Sequence, residues 1–214
     1  MEKLNLCLMI LVLSIFSVKC AAESSTSRLH TRTKTFVELQ CRQTRYPKLC
    51  ITSLANHVNS TSQDPQEIAQ VALKVSLVRA VYTKYYLMKV CKELNQTKAK
   101  DNQGVYDCFE QISNGVSQLT NSVKELQHLS LDGERAFVWH QSNVQTWLST
   151  VLTNAFDCLD GMNSGYSMGG KVRATIKAKV LNVAQVTSNA LALFNGFADR
   201  HKASHHDGYG KNKP

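Results

Sequence analysis

The stretch Gln141–Gly161, QSNVQTWLSTVLTNAFDCLDG, decides the fold class. Steps of three and four connect Val144, Leu148, Val151, Ala155, Cys158 and, just beyond, Met162, which is the period of a helix packing on other helices. The cysteine stands on that seam, so whatever holds Cys158 ties this helix to another part of the core. Asp157 and Asp160 stand beside it, off the seam, where a partner can reach them.

Three further stretches carry the same period. Asp64-Pro65 with Glu67 reads as an N-cap, a first-turn proline and an early acidic residue. A helix is predicted after it, with Ile68, Val71, Val75, Val78, Tyr82, Tyr85 and Met88 as its apolar seam. Val105, Phe109, Ile112, Val116, Leu119, Val123 and Leu126 alternate steps of four and three in the next. Ser130, Asp132 and Gly133 mark the short turn into the opening helix, which makes the two antiparallel. A glycine-rich connection with Gly165, Gly169 and Gly170 leads to the last helix, whose seam runs Val172, Ile176, Val180, Val183, Thr187, Ala190, Phe194 and Phe197. No stretch longer than a few residues alternates with period two, so no sheet is expected. The fold class is all-α, an up-and-down four-helix bundle formed by a single domain over residues 33–200. From His201 to Pro214 the chain is polar and basic, with His201, His205 and His206, and reads as a disordered tail.

The beginning of the chain supplies an address. Lys3 precedes an apolar run from Leu4 to Val18 and then Cys20-Ala21-Ala22, the pattern of a secretory signal over residues 1–22. That run is about 15 residues, short of the ~20 that span a bilayer, and no later stretch is long enough, so a membrane anchor is not expected. Residues 23–32 are rich in Ser and Thr without apolar period and read as a disordered lead-in. Asn59-Ser60-Thr61 and Asn95-Gln96-Thr97 are glycosylation sequons, Asn59 and Asn95 falling in loops or helix ends.

Removal of the signal leaves Cys41, Cys50, Cys91, Cys108 and Cys158 in an oxidising compartment. Residues 35–41 form two turns of helix, the chain reverses through Arg42–Tyr46, and Pro47 starts the next helix. Cys41 and Cys50, nine apart across that turn, are read as the clasp of a short N-terminal helical hairpin. Cys108, near the start of the second bundle helix, lies at the same end of an antiparallel pair as Cys158, and a bridge can form there. Closing its loop of about 50 residues stabilises the fold by roughly 4 kcal/mol in the chain-entropy model. Cys91–Cys108 is the competing pair; with Cys108–Cys158 closed, Cys91 is the free thiol.

The formal charge of +9 and a pI of about 9.2 suit an acidic polymer, an acidic protein or a membrane surface. The secretory address argues against nucleic acid. Lys74, Arg79, Lys84 and Lys89 come every fifth residue and spiral around their helix, which argues against a dedicated polyanion stripe and reads as a solvated surface. His57, His128 and His140 are isolated, no pair of carboxylates or nucleophile with base stands at an informative spacing, and no glycine-rich phosphate loop is present. Neither an enzyme nor a metal or cofactor site is expected. Trp147 adjoins the seam residue Leu148 and reads as partly buried, with Trp139 eight residues earlier.

The Cys-x8-Cys hairpin carrying TRYPKLC, the segment IAQVALKVSLVRA, the helix CFEQISNGVSQL and the block TWLSTVLTNAFDCLDG, in this order behind a signal, resemble the plant invertase and pectin methylesterase inhibitor family. The resemblance runs from about Thr33 to Phe197. It implies an extracellular, non-enzymatic bundle, bridged Cys41–Cys50 and Cys108–Cys158, that binds a cell-wall carbohydrate enzyme one to one and blocks its active-site cleft. Invertase inhibitors of the family resemble one another in a Pro-Lys-Phe element between the second and third bundle helices. Here that turn reads LQHLSLDGERAF and the element is absent. Pectin methylesterase is therefore the expected partner, with acid invertase as the alternative target and a bundle that binds pectin directly through its basic surface as a third reading. In the inhibitors, acidic residues in a C-x-E-x-Y-x-D-A-V-D-x-L pattern contact the enzyme. Glu110 matches the first of them, while Ile112, Asn114 and Ser117 stand at the Tyr and the two Asp positions. Asp160 matches the acidic position two after the third-helix cysteine, and Asp157 replaces the usual Thr before it. Glu110, Asn114, Ser117, Asp157 and Asp160 are thus the candidate partner-binding residues.

Overall fold

The computed structural model describes residues 34–58, 63–96, 103–128, 133–162 and 169–209. They form six helices: α1 (residues 34–41), α2 (Pro47–Leu54), α3 (Pro65–Gln96), α4 (Gln103–His128), α5 (Gly133–Gly161) and α6 (Gly170–Tyr209). The signal at 1–22, the lead-in at 23–32 and Asn59 lie outside the described residues. The architecture is an up-and-down four-helix bundle, α3 to α6, with the α1–α2 hairpin laid against α3 and α6. In ring order α3 packs on α4, α4 on α5, α5 on α6 and α6 back on α3.

Local chemistry sets the helix boundaries. Asp64 caps α3: its Oδ1 accepts the Gln66 N–H at 2.9 Å and its carbonyl accepts the Ile68 N–H, while Pro65 occupies the first helical position, where no donor is needed. Pro47 opens α2 in the same way. In the turn between α1 and α2 the Thr44 hydroxyl donates to the Cys41 carbonyl at 2.8 Å. Cys41 and Cys50 are bridged with their Cα atoms 5.6 Å apart, and both are buried. The buried amide of Asn189 on α6 then holds the hairpin to the bundle. Its Oδ1 accepts the Tyr46 N–H and its Nδ2 donates to the Tyr46 carbonyl, both at 3.0 Å.

The seams of α4, α5 and α6 form the core. Every α5 seam residue from Val144 to Met162 is buried, and Val105, Ile112, Leu119 and Leu126 of α4 face Ile176, Val180, Val183 and Phe194 of α6 across two contiguous apolar clusters. The seam of α3 is a correction. Ile68 is buried, but Val78, Tyr82, Tyr85 and Met88 are exposed. The buried side of α3 is instead Ala69, Ala72, Leu73, Ser76, Ala80, Thr83, Leu87 and Val90, with the Ser76 and Thr83 hydroxyls satisfied by the Ala72 and Arg79 carbonyls. Small residues bring helix axes together, and the larger apolar side chains are left on the outside.

The end of α6 is a second correction, because residues 201–209, expected as part of a disordered tail, continue the helix. His201 stacks on Phe137 of α5 with ring centroids 3.8 Å apart and planes 17° from parallel. Arg200 donates to Gln40 of α1 at 2.9 Å. These contacts give the polar extension something to pack on.

Candidate functional site

The α4–α5 pair carries the candidate residues, and its register decides which of them meet. Cys108 and Cys158 are bridged, with Cα atoms 4.6 Å apart. Asn154 Nδ2 donates to Asn114 Oδ1 at 3.0 Å and reaches the Gln111 carbonyl at 3.4 Å. Glu125 Oε1 accepts from Asn143 Nδ2 at 2.7 Å and lies 2.9 Å from His140 Nδ1 at the far end of the pair. Residues 108, 114 and 125 of α4 thus meet 158, 154 and 140–143 of α5, an antiparallel register without slippage. Glu110 is therefore level with Phe156 and Asp157, and Asp160 with the first turns of α4.

Glu110, Asn114 and Ser117 recur at steps of four and three, which puts them on one stripe of α4, and all three are exposed. Asp157 and Asp160 form the matching exposed stripe on α5, continued by half-buried Asn154. The Asn154–Asn114 hydrogen bond stitches the two stripes together, and the bridge at Cys108–Cys158 holds Glu110 beside the two aspartates. Ser117 turns its hydroxyl back to the Ser113 carbonyl at 3.4 Å. It gives the surface a weaker polar group than the Asp of the family pattern.

Phe156 was absent from the sequence-based set. It is 44% exposed, one residue before Asp157 and level with Glu110. A large apolar ring left in water beside polar residues suits a protein–protein contact. The signal in the sequence was its place off the α5 seam, between Ala155 and Cys158. From Ala136 to Gly161, α5 contains no Lys or Arg, so the patch is acidic although the whole chain is basic.

Cys91 is a free, buried thiol with its Sγ 3.9 Å from the Val105 carbonyl. Asn95 is exposed in the last turn of α3. His57 and His140 stand on different elements, and among the described residues no group of three His, Cys, Asp or Glu side chains could hold a metal ion. Trp147 is half-buried and Trp139 is exposed. No described helix is long and apolar enough to cross a membrane.

Comparison with known proteins bears on the family and the fold. The family described as "Plant invertase/pectin methylesterase inhibitor" matches residues 35–193. Pectinesterase inhibitor 9 of Arabidopsis thaliana is 39% identical over 202 residues, covering 94% of this chain and 97% of that one. Pectinesterase inhibitor 11 of the same plant is 38% identical over 84% of this chain and 90% of its own length. A 21 kDa protein of Daucus carota is 37% identical over 78% of this chain and 86% of its own. Among solved structures, a mutant form of a pectin methylesterase inhibitor from Arabidopsis superposes with a TM-score of 0.56 at 17% identity, covering 72% of this chain and 92% of that one, which speaks for the fold.

Proposed function

The chain belongs to the plant invertase/pectin methylesterase inhibitor family, and from that premise we propose that it is a secreted inhibitor that binds pectin methylesterase one to one and blocks its active-site cleft. The observation that carries the proposal is the acidic patch across α4 and α5, where Glu110, Asp157 and Asp160 stand exposed at the end held by Cys108–Cys158, with the exposed Phe156 ring on the adjoining flank of α5. Carboxylates at a rim give charge-assisted hydrogen bonds to an enzyme's Arg, Lys or backbone donors, and the exposed ring of Phe156 beside them supplies apolar contact. Asn114 and Ser117 extend the patch with neutral groups, which favours some esterase isoforms over others. The protein reaches the cell wall by the signal at 1–22, with sugar attached at Asn59 and Asn95. Inhibition needs no cofactor.

Purified protein assayed against a panel of plant pectin methylesterases and an acid invertase tests this. Loss of activity in at least one esterase, with a single inhibitor in the complex by mass, is the expected result. Inhibition of the invertase with no effect on any esterase would replace the target.

A further inference from the structure

The charge of the molecule is divided between the two halves of the bundle. On α3, the stretch from Ile68 to Lys92 contains Lys74, Arg79, Lys84, Lys89 and Lys92 and no carboxylate. On α6, Gly170 to Ala198 contains Lys171, Arg173, Lys177 and Lys179 and again no carboxylate. These two helices pack side by side, away from the acidic face of α5. The cations of α3 alone make no stripe, but Arg79 of α3 and Lys179 of α6 come together at one groove. An open groove between them is lined by Arg79, Tyr82 and Thr83 from one side and Thr175, Lys179 and Asn182 from the other. Lys179 also sits over the Tyr86 ring, 5.1 Å from its centroid.

Of the aromatic residues left out of the core, Tyr82 lines this groove and Tyr85 follows it on the outer side of α3. Tyr82 is 67% and Tyr85 66% exposed, one turn apart on α3, with Val78 and Met88 continuing the stripe. Among the described residues neither Arg79 nor Lys179 is ion-paired. The groove is shallow and open, which suits a chain lying along it better than a small molecule entering it. Cations spaced along two helices match a polymer with regularly repeated single negative charges. Flat phenol rings at the rim offer stacking faces to sugar rings, whose C–H edges are apolar. Tyr82 and Tyr85 are about 4.5 Å apart along the helix axis, near the length of one pyranose unit.

We propose that the α3–α6 groove binds a strand of carboxylated polysaccharide, a polyuronate, through Arg79 and Lys179, with Tyr82 in the groove and Tyr85 beside it as stacking platforms. The acidic α4–α5 patch stays clear of that strand, so one molecule can hold the polymer on one face and an enzyme on the other. This site is independent of the inhibitory reading.

Co-sedimentation of the full chain with polygalacturonate, at low salt and at 0.5 M salt, tests the site. Binding that falls at least tenfold at high salt is expected, with no binding to fully methyl-esterified pectin. The double variant Arg79→Gln/Lys179→Gln and, separately, Tyr82→Ser/Tyr85→Ser should each weaken binding at least fivefold with an unchanged urea midpoint, since all four side chains are exposed or half-buried. Unaltered binding in both variants overturns the proposal, and so does equal retention on double-stranded DNA, which would reduce the surface to an unselective polycation. A protein that sediments with polygalacturonate yet inhibits no esterase would leave this groove standing and remove only the inhibitory reading.

Discussion

Asn154 of α5 donates its side-chain N–H to Asn114 Oδ1 of α4 at 3.0 Å, at the position where the family's acidic pattern carries an Asp. The donor stays in place if the acceptor becomes a carboxylate of the same shape, and the bond then becomes charge-assisted. Asn114→Asp is therefore expected to fold as the parent does and to bind a pectin methylesterase about tenfold more tightly, about 1.4 kcal/mol. Titration of enzyme activity with both proteins, at low and high salt, reads the effect. Unchanged inhibition at either salt would take Asn114 out of the interface.

Phe156 offers a test that moves affinity without moving stability. Its ring is 44% exposed and stands off the buried α5 seam, so Phe156→Ala opens no interior cavity. The urea midpoint should shift by less than the error of the measurement. Inhibition should weaken tenfold or more if the ring is buried by the enzyme. A variant that inhibits as well as the parent would move the interface elsewhere on the bundle.

The contrast between α5 and α3 explains how far the sequence could be read. On α5 the seam is built from large residues such as Leu148 and Val151, and polar residues fill the opposite side, so period and burial coincide. On α3 the buried side is built from Ala69, Ala72, Ser76, Ala80 and Thr83, which carry little hydrophobic weight, while Val78, Tyr82, Tyr85 and Met88 repeat with helical period on the outside. A periodicity search follows bulk, and here bulk faces solvent. The extension of α6 to Tyr209 was illegible for another reason. Its support is tertiary, the His201 ring on Phe137, and nothing local in a polar stretch signals it. The candidate site was legible in its carboxylates through family resemblance. Its aromatic member, Phe156, needed the register of α4 on α5 to be known.

Gly115 lies buried in the middle of α4, where it approaches α5. A Cβ added there would stand 3.6 Å from Val151 Cγ1, an ordinary van der Waals contact. Glycine inside a helix is less favourable than alanine by about 1 kcal/mol. Gly115→Ala should therefore stabilise the bundle by up to that amount, raising Tm by about 2–4 °C in a chain of this size. Calorimetry checks it. A fall in Tm would mean that α4 and α5 approach more closely at this point than the Gly115–Val151 contact implies.

Burial pushes the Cys91 thiol above the ordinary thiol range, and only its backbone hydrogen bond acts the other way. The native state therefore keeps its proton to higher pH than the unfolded chain, whose thiol ionises near ~8.5. Below that pH both states are protonated and Cys91 contributes no slope. Above it the unfolded state loses its proton first, and stability falls as pH rises toward the native value. Urea midpoints from pH 7 to 10 should thus decline more steeply for the parent than for Cys91→Ala, although the variant starts lower because it lacks the sulfur packed against the Val105 carbonyl. Iodoacetamide at pH 8 should label Cys91 slowly in the native protein and rapidly in 6 M urea, with Cys108 and Cys158 unlabelled in both. Parallel pH profiles, together with rapid native labelling, would place Cys91 in solvent and contradict its position between α3 and α4.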